Sequence, residues 1–453
     1  MRIRSHASKL AAFATIFGAL AACSSDDTPP GAAAPMAGSP ALDPAAMMPA
    51  PMGTGGSETG TGGVAAVPPP IGGGAPAPEV IEPPAPVAMG GADAAGGAGP
   101  AAPGTWSFSK TITLDTTAAG ANVDEDIENY PLAVLLNAEN FDFSQAQMNG
   151  ADLRFFDAEG NPLPYAIESW DVEAQLGAAW VFLDVVNGND NTQSIEMRWG
   201  NPTAEDEGDS KAVFKMEHGF YGVWHLNEDG NTDPGGYLDS SDHEAHGDGV
   251  GMIPGSQVDA RIGKGSHLDN PDGQDTARWI KVTGDKIEEF NSDKVLTVSI
   301  WMLAYSYPIR SYETMICKGD TSWSLRRVQY GRNGYQSCLW QGSYHLCSYN
   351  FDGQALVTEE WLHFMLVLDE PTMTLYINGE RNSSASSGGW AQGDHDLGIG
   401  NQTQALGGRR QWDGILDEAR VMHGAKSEAW AKLEFESQKE SPTLLTFGET
   451  QPL

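Results

Sequence analysis

Residues 295–303 read Val-Leu-Thr-Val-Ser-Ile-Trp-Met-Leu, a short run dominated by β-branched and other apolar side chains. Such a run is typical of a β-strand in a packed sheet. Similar short runs, many of them alternating, recur along the chain and are separated by Gly, Asn and Asp, which favour turns. They cover residues 131–137, 151–157, 180–186, 194–199, 362–368, 373–377 and 414–421.

Helical periodicity is convincing in one short segment only, residues 427–438, which Ser427 opens as a helix cap. The strand runs and their turn residues come at intervals typical of sandwiches. We therefore predict an all-β fold of two jelly-roll-like β-sandwich domains, at residues 105–210 and 219–449.

The chain begins with a segment that resembles a bacterial lipoprotein signal peptide. Arg2, Arg4 and Lys9 precede an apolar run that ends in Leu-Ala-Ala-Cys at residues 20–23. The run is too short to span a bilayer, so residues 1–22 are expected to be a cleaved export signal. The resemblance implies that Cys23 carries a lipid and that the membrane is the outer one, because serine follows the cysteine. An ordinary secretory signal with a chance cysteine is the alternative.

Residues 23–104 are almost entirely small residues and proline, and residues 24–103 contain neither Lys nor Arg. Small side chains cannot bury enough apolar area to offset the entropy cost of ordering the backbone. This segment is expected to be a disordered tether between the membrane and the folded part.

The formal net charge of the chain is −35. Nucleic acid and anionic membrane surfaces carry charge of the same sign, so neither is expected as a partner. Contact with the membrane would then occur only through the lipid on Cys23.

Four motifs in the first predicted domain resemble the bacterial domain of unknown function 2341, over residues 106–208. That family implies no chemistry. The motifs are NYPLAV at residues 129–134, NGADLRF at 149–155, IESWD at 167–171 and WGNP at 199–202.

Residues 219–448 resemble a laminin-G-like domain of the concanavalin A-like lectin and glucanase superfamily. Within these motifs, Trp224 and Trp301 fit buried positions, and Asn378-Gly379 fits a hairpin turn that needs positive φ. The motifs are GVWHLNE at residues 222–228, DSS at 239–241, TVSIW at 297–301, ICKGD at 316–320, LYING at 375–379 and GILDEARV at 414–421.

The superfamily includes glucanases, which raises the question of catalysis. Retaining glycosidases need two carboxylates about 5 to 5.5 Å apart. The nearest acidic string is Glu168-Ser169-Trp170-Asp171-Val172-Glu173. On a strand, Glu168 would point away from Asp171 and Glu173, so no catalytic residues are predicted and the chain is expected not to be an enzyme.

The cysteines predict a disulfide. A two-residue turn at Gly342-Ser343 would place Cys338 opposite Cys347 in a hairpin, at a non-hydrogen-bonded pair whose Cα atoms lie close together. Export to an oxidising compartment favours the bond. Cys317 is then expected to be a buried thiol, although its pairing with either hairpin cysteine stays open.

The same hairpin suggests a ligand site. Trp340 and His345 face each other in this register and Tyr344 adjoins the turn, so exposed rings there would stack on a sugar. Packing of Trp340 in the core is the alternative. Trp390 and Trp412, in Gly-rich surroundings, are weaker candidates of the same kind.

Structural calcium is the one cofactor considered. The same resemblance implies that Asp239 and Asp417 lie where related sandwiches hold such an ion, and hard cations prefer oxygen ligands. Alternatively, Asp239 caps its own turn and Asp417 pairs with Arg420 or Arg409.

Together these features predict an exported, membrane-anchored, non-catalytic binding or adhesion lipoprotein. Its expected partner is a glycan or another extracellular polymer, bound through the laminin-G-like domain. One alternative is a structural cell-envelope component that binds a protein. The second is a divergent glycan-active hydrolase, which would need an acidic pair about 5 to 10 Å apart in a cleft.

Overall fold

Strands make up most of the regular structure in the computed structural model, which confirms the all-β prediction. Antiparallel pairing joins them into four sheets across the described part of the chain. The structure describes residues 105–270, 278–291, 294–307, 312–328, 334–341, 345–350, 357–386, 389–391, 393–403 and 410–453.

The first sandwich is formed by strands of residues 108–199. Short runs of alternating or continuous apolar residues form these strands, as the pattern predicts. The bounds are β1 (Phe108–Leu114), β2 (Ile127–Asn137), β3 (Arg154–Phe156), β4 (Tyr165–Asp171), β5 (Leu176–Val186) and β6 (Ser194–Trp199). A three-stranded sheet has the order β2-β5-β4, and β1, β6 and β3 belong to a five-stranded sheet.

The second sandwich follows a short helix, α1 (Ser210–Val213). Its strands are β7 (Phe220–Trp224), β8 (Gly247–Val250), β9 (Gln257–Asp259), β10 (Lys264–Leu268), β11 (Trp279–Val282), β12 (Val295–Ala304), β13 (Tyr312–Cys317), β14 (Trp323–Val328), β15 (Gly334–Trp340), β16 (His345–Asn350), β17 (Trp361–Asp369), β18 (Thr372–Ile377), β19 (Glu380–Ser386), β20 (Leu397–Ile399) and β21 (Gly414–His423). Short 3₁₀-helices occur at Phe143–Gln145, Met216–His218 and Asp285–Asn291.

Two sheets enclose the core of the second sandwich. The eight-stranded sheet has the order β19-β18-β17-β12-β21-β10-β9, with β7 also paired to β21. The seven-stranded sheet has the order β16-β15-β14-β13-β20-β11-β8. Trp224 is fully buried between them, as predicted, and Trp301 is also buried.

Helix α2 (Glu428–Gln438) confirms the one helix that the sequence predicts. The Ser427 side chain accepts a hydrogen bond from the Trp430 amide and so caps the helix. The helix contacts both sandwiches: the Trp430 ring lies 5.2 Å from the ring of Tyr130 on β2, and Trp301 on β12 donates a 2.6 Å hydrogen bond to Gln438. One apolar core therefore continues from the first sandwich onto α2 and the eight-stranded sheet. None of the described helices combines the length and apolar character that a membrane span needs.

The chain returns to the first sandwich at its end. Strands β22 (Leu445–Phe447) and β23 (Gln451–Pro452) pair with β1, and Phe447 lies opposite Ile112. Residues 445–449, which we assigned to the second domain, thus complete the five-stranded sheet of the first one. The amide and carbonyl groups of the β1 edge find their partners in this way.

The hairpin between β18 and β19 confirms the predicted turn. Asn378 and Gly379 have φ values of 52° and 76°. Positive φ at both central residues is the condition of the type I′ turn, which suits the twist of the flanking strands.

The predicted disulfide is also confirmed. Cys338 lies opposite Cys347 in the β15–β16 pair and is bonded to it, with Cα atoms 4.1 Å apart. Cys317 is a buried thiol, and burial raises its pKa. A buried protonated thiol is unreactive.

Reduction of the disulfide is expected to lower the free energy of unfolding by about 2 kcal/mol, because the closed loop is short. Urea unfolding with and without reductant measures this loss. The double variant Cys338→Ser, Cys347→Ser should show the lower stability in both conditions. Equal sensitivity of the wild type and the double variant to reductant would contradict the prediction.

Candidate functional site

Three polar side chains from both sandwiches meet between the three-stranded and the eight-stranded sheet. Glu168 lies on β4, His225 follows β7 directly, and Glu418 lies on β21. Since Trp224 pairs with Ala419, the strands place His225 beside Glu418. We call Glu168, His225 and Glu418 the junction cluster.

His225 lies between the two carboxylates. Its Nδ1 atom is 2.5 Å from Oε1 of Glu418 and 3.5 Å from Oε2 of Glu168. One nitrogen and two carboxylate oxygens therefore lie within 4.8 Å of one another. Such a donor set can hold a metal ion.

A β-bulge brings Glu418 to this position. The register between β12 and β21 shifts between Ser299 and Trp301, and Glu418 itself has a φ of 50°. A bulge inserts a residue into one strand and turns its side chain in a new direction. Left-handed backbone is uncommon for residues other than glycine, and it concentrates at functional sites.

Two neighbouring side chains orient the carboxylates. Trp180 Nε1 donates a 2.6 Å hydrogen bond to Oε2 of Glu168, and Arg420 Nη2 donates a 2.7 Å bond to Oε2 of Glu418. The Arg420 guanidinium lies 4.4 Å from the centre of the Trp180 ring and also pairs with Glu434 at 3.4 Å. Both carboxylates are thereby held in one rotamer.

The environment shifts the pKa values of Glu168 and Glu418 in opposite directions. Burial, followed by the negative charges of Glu418 and Asp417, raises the pKa of Glu168 well above its ordinary value. Burial alone would also raise the pKa of Glu418, but His225 and Arg420 outweigh it and lower that pKa to about 2. At neutral pH Glu418 is ionised, and Glu168 is the weaker acid of the two.

A cleft of about 190 Å³ leads to the cluster, and residues of both sandwiches line it, including Glu168, His225 and Glu228. Glu228 accepts a hydrogen bond from the Leu238 amide through Oε1. Its Oε2 atom is buried and has no hydrogen-bond partner among the residues that the structure describes. Burial raises the pKa of Glu228.

A second concave site lies at one end of the seven-stranded sheet. β20 pairs with both β11 and β13, so the segments that follow β11 and β13 meet the segment that precedes β20. They enclose a pocket of about 330 Å³ lined by Gly284, Ile287, Glu288, Lys318, Gly393, Asp394 and Asp396. We call this the loop-end pocket.

Lys318 forms the back of the loop-end pocket. Its ammonium group donates to the backbone carbonyl of His395 and lies 3.5 Å from that of Gly393. Burial lowers the pKa of Lys318, while the charges of Asp396, Asp394 and Glu288 act in the opposite direction. The pocket thus combines a fixed cationic donor with carboxylate acceptors.

Residues 274–432 match the Laminin_G_3 family model, described as the Concanavalin A-like lectin/glucanases superfamily. Residues 149–227 match a second model, described as Domain of unknown function (DUF2341). The two resemblances that the motifs predict are therefore confirmed, in the same order along the chain. The second match extends through β7 as far as Asn227, beyond the extent that we predicted. No curated protein sequence matches the chain.

Solved structures of low sequence identity are similar to parts of this chain. One is Domain 4 of AbnA, a GH43 extracellular arabinanase from Geobacillus stearothermophilus, in complex with arabinotriose. It is 17% identical to this chain, the match covers 47% of this chain and 97% of that chain, and the TM-score is 0.36. The binding domain of Paraclostridial Mosquitocidal Protein 1 is 14% identical (49% and 53% covered, TM-score 0.37). A heptameric SAP-like pentraxin from Limulus polyphemus is 15% identical (31% and 68%, TM-score 0.26).

The Trp340 backbone is hydrogen-bonded to Ala391, two residues before Gly393 of the loop-end pocket. Its amide donates to Ser322 and its carbonyl accepts from Ala391, both at 2.8 Å, so β15 ends against the chain segment that continues to Gly393. The Trp340 side chain is half-buried. His345 pairs with Trp340 in the predicted register, whereas Tyr344 lies outside the described residues.

The other two predicted aromatic residues lie inside the concanavalin A-like core. Trp390 is 5% exposed and Trp412 is 1% exposed, and both pack in the cluster between the two large sheets. Stacking on a sugar needs an open ring face. Neither ring offers one in this structure, because both side chains are buried in the core.

The two predicted calcium ligands are buried in separate hydrogen-bonded settings. The Asp239 carboxylate accepts from the amides of Val223, Ser241 and Ala245, which is the turn-capping alternative. Asp417 accepts from the Ile262 amide through Oδ2. Burial, followed by the charge of Glu418, raises the pKa of Asp417 well above its ordinary value.

The predicted signal segment, the tether and Cys23 lie outside the described residues. Within the described part, the junction cluster contains residues that sequence reasoning did not select. Glu168 belongs to the acidic string in which no catalytic residue is predicted, and His225 and Glu418 belong to motifs that predict only the fold. The available signal was the charged triplet Asp417, Glu418 and Arg420 inside a strand that is otherwise apolar.

Proposed function

We propose that the chain is a non-catalytic, envelope-anchored protein that binds carbohydrate in the loop-end pocket of its concanavalin A-like region. The observation that carries this proposal is the pocket itself: about 330 Å³, lined by acidic side chains and one buried lysine. Ligand sites in proteins are concave and contain a few polar groups that fix the orientation of the ligand.

The lining matches the chemistry of sugar hydroxyl groups, which both donate and accept hydrogen bonds. Carboxylates of Glu288, Asp394 and Asp396 accept from hydroxyl groups, and Lys318 donates to a hydroxyl or ring oxygen. Gly284 leaves the adjacent backbone open to the ligand, because no atom lies within 4 Å of the place a side chain would take. Three acids against one lysine favour a neutral polysaccharide over an anionic one.

Trp340 supplies the apolar part of the recognition. It is half-buried at the end of β15 and its carbonyl holds Ala391, on the segment that continues into the pocket wall. The face of an aromatic ring suits the apolar face of a sugar. This position corresponds to the hairpin end that the sequence selected.

The geometry of the junction cluster supports a non-catalytic role. Its donor atoms lie within 4.8 Å of one another, and His225 stands between Glu168 and Glu418. Glycosidases need about 5 to 5.5 Å for a retaining pair and more for an inverting one, with room for the sugar between the carboxylates. Membrane anchoring through Cys23 is supported only by the Leu-Ala-Ala-Cys sequence at residues 20–23, which resembles a lipoprotein cleavage site.

A glycan-array screen of the purified full-length chain, in calcium and then in EDTA, tests the proposal. We expect binding to neutral glycans, at least tenfold weaker in Asp394→Asn and in Trp340→Ala. Glu159→Gln, an exposed acid of the first sandwich, is the matched control and should bind normally. Absence of binding above background would refute the proposal and favour a protein-binding envelope component. Loss of binding in EDTA would place calcium at the pocket.

A further inference from the structure

We propose that Glu168, His225 and Glu418 bind a divalent transition-metal ion, with Zn²⁺ as the best match, and that this ion links the two sandwiches. The site is separate from the loop-end pocket, and the proposal does not depend on carbohydrate binding. β4 of the first sandwich supplies one ligand, and the β7 end and β21 of the second supply the other two.

The donor set selects the class of metal. One imidazole nitrogen and two carboxylate oxygens suit Zn²⁺ and its first-row neighbours. Ca²⁺ takes six to eight oxygen ligands and does not favour imidazole nitrogen, so this cluster is not a calcium site. Zn²⁺ is held by three protein ligands in many sites that leave the fourth position open, and here the cleft of about 190 Å³ provides that side.

The two distances from His225 lie within about 1 Å of those of a loaded site, and all three donor atoms lie within 4.8 Å of one another. Tetrahedral ligands about 2.0 to 2.2 Å from Zn²⁺ lie roughly 3.4 Å from one another. His225 Nδ1 and Glu168 Oε2 are already 3.5 Å apart. His225 Nδ1 and Glu418 Oε1, now joined by a 2.5 Å hydrogen bond, would separate by roughly 1 Å when metal bonds replace that bond.

A second and independent observation is an unpartnered oxygen. The Glu168 side chain is 0% exposed, and its Oε1 atom has no hydrogen-bond partner within the described ranges. A buried carboxylate oxygen without a donor is costly, and native structures contain few of them. Because Glu168 also lines the cleft, a cation bound there by both oxygens of its carboxylate would satisfy Oε1 as well.

The surrounding residues already act as an outer shell. Trp180 fixes Glu168 through Oε2, and Arg420 fixes Glu418 through its Oε2, which leaves Oε1 directed at His225. Outer partners of this kind orient metal ligands.

The test is Zn²⁺ binding by the tag-free, full-length chain. Metal is first removed with chelator, the protein is dialysed against micromolar Zn²⁺, and bound metal is counted by mass spectrometry beside thermal unfolding scans. We expect one Zn²⁺ per chain and a Tm several degrees higher than in EDTA, with no such rise in Ca²⁺. The Glu168→Gln variant keeps the hydrogen bond from Trp180 and should bind Zn²⁺ at least tenfold more weakly than the wild type.

Glu228→Gln changes another buried acid of the same cleft and should bind Zn²⁺ as the wild type does. Absence of Zn²⁺ from the wild type, or unchanged binding in Glu168→Gln, would overturn the proposal. An equal loss of Zn²⁺ affinity in Glu168→Gln and Glu228→Gln would overturn the assignment of the site to Glu168, His225 and Glu418. Stabilisation by Ca²⁺ instead of Zn²⁺ would overturn the class of metal. If a variant does not fold, the Zn²⁺ content of the wild type still decides whether the chain binds the metal.

Discussion

Replacement of Arg420 by methionine is expected to lower the free energy of unfolding by about 3 to 5 kcal/mol. Arg420 is buried between Glu418, at 2.7 Å, and Glu434, at 3.4 Å. Methionine keeps much of the packing against Trp180 but leaves two buried carboxylates without their cation. Breaking a buried pair on one side costs far more than the pair contributes, because a charge stays desolvated. Urea unfolding at pH 7 measures the loss.

An exposed ion pair provides the control. Lys211 and Glu244 form a salt bridge in which both side chains are about half exposed. Lys211→Met should cost far less than Arg420→Met, since water and salt screen such pairs. In the double variant Arg420→Met, Glu418→Gln, part of the loss should be recovered. A loss below about 1 kcal/mol for Arg420→Met alone would show that the two acids do not depend on this cation.

The protein is expected to lose about 3 kcal/mol of stability on acidification from pH 6.5 to pH 4 through His363 alone. Burial lowers the pKa of His363 to about 4, although Glu434 acts in the opposite direction. The unfolded chain keeps a histidine pKa of about 6.5, and each unit of difference corresponds to about 1.4 kcal/mol. The difference between the two pKa values gives the size of the effect.

The sign follows from the proton counts. Between pH 6.5 and pH 4 the unfolded chain binds a proton at His363 and the folded chain does not. The contribution of His363 to the free energy of unfolding is therefore complete above pH 6.5. It is lost as the pH falls toward the folded pKa of about 4. Glu434 lies 3.9 Å from Nε2 and the Trp301 ring lies 5.0 Å from the imidazole. The nearby acid does not compensate for the loss of water around a charged imidazole.

Unfolding experiments at pH values from 7.5 to 4 on the wild type and His363→Gln measure this effect. Other acids also titrate in this range, so the difference between the two proteins isolates His363. We expect the variant to lose less stability over that interval, by about 3 kcal/mol. Parallel curves for the two proteins would mean that His363 is protonated in the fold as well.

Several structural features were determined by short stretches of sequence. Asn378-Gly379 set the β18–β19 turn, Ser427 set the start of α2, and the spacing of Cys338 and Cys347 set the disulfide register. In each case the deciding interaction joins residues fewer than about ten positions apart. Propensity and turn geometry then act almost independently of the rest of the chain.

Only the tertiary structure decided the junction cluster and the burial of the aromatic candidates. His225 and Glu418 are 193 residues apart, and a β-bulge turns Glu418 toward the imidazole. Trp390 and Trp412 lie in Gly-rich stretches that resemble exposed loops, yet they pack between the large sheets. Sequence spacing carries no information on which distant strands pair or which side of a bulge a carboxylate faces. The junction cluster and the buried tryptophans depend on how the two sandwiches and α2 share one core. The burial of apolar surface selects that arrangement, and no local sequence pattern encodes it.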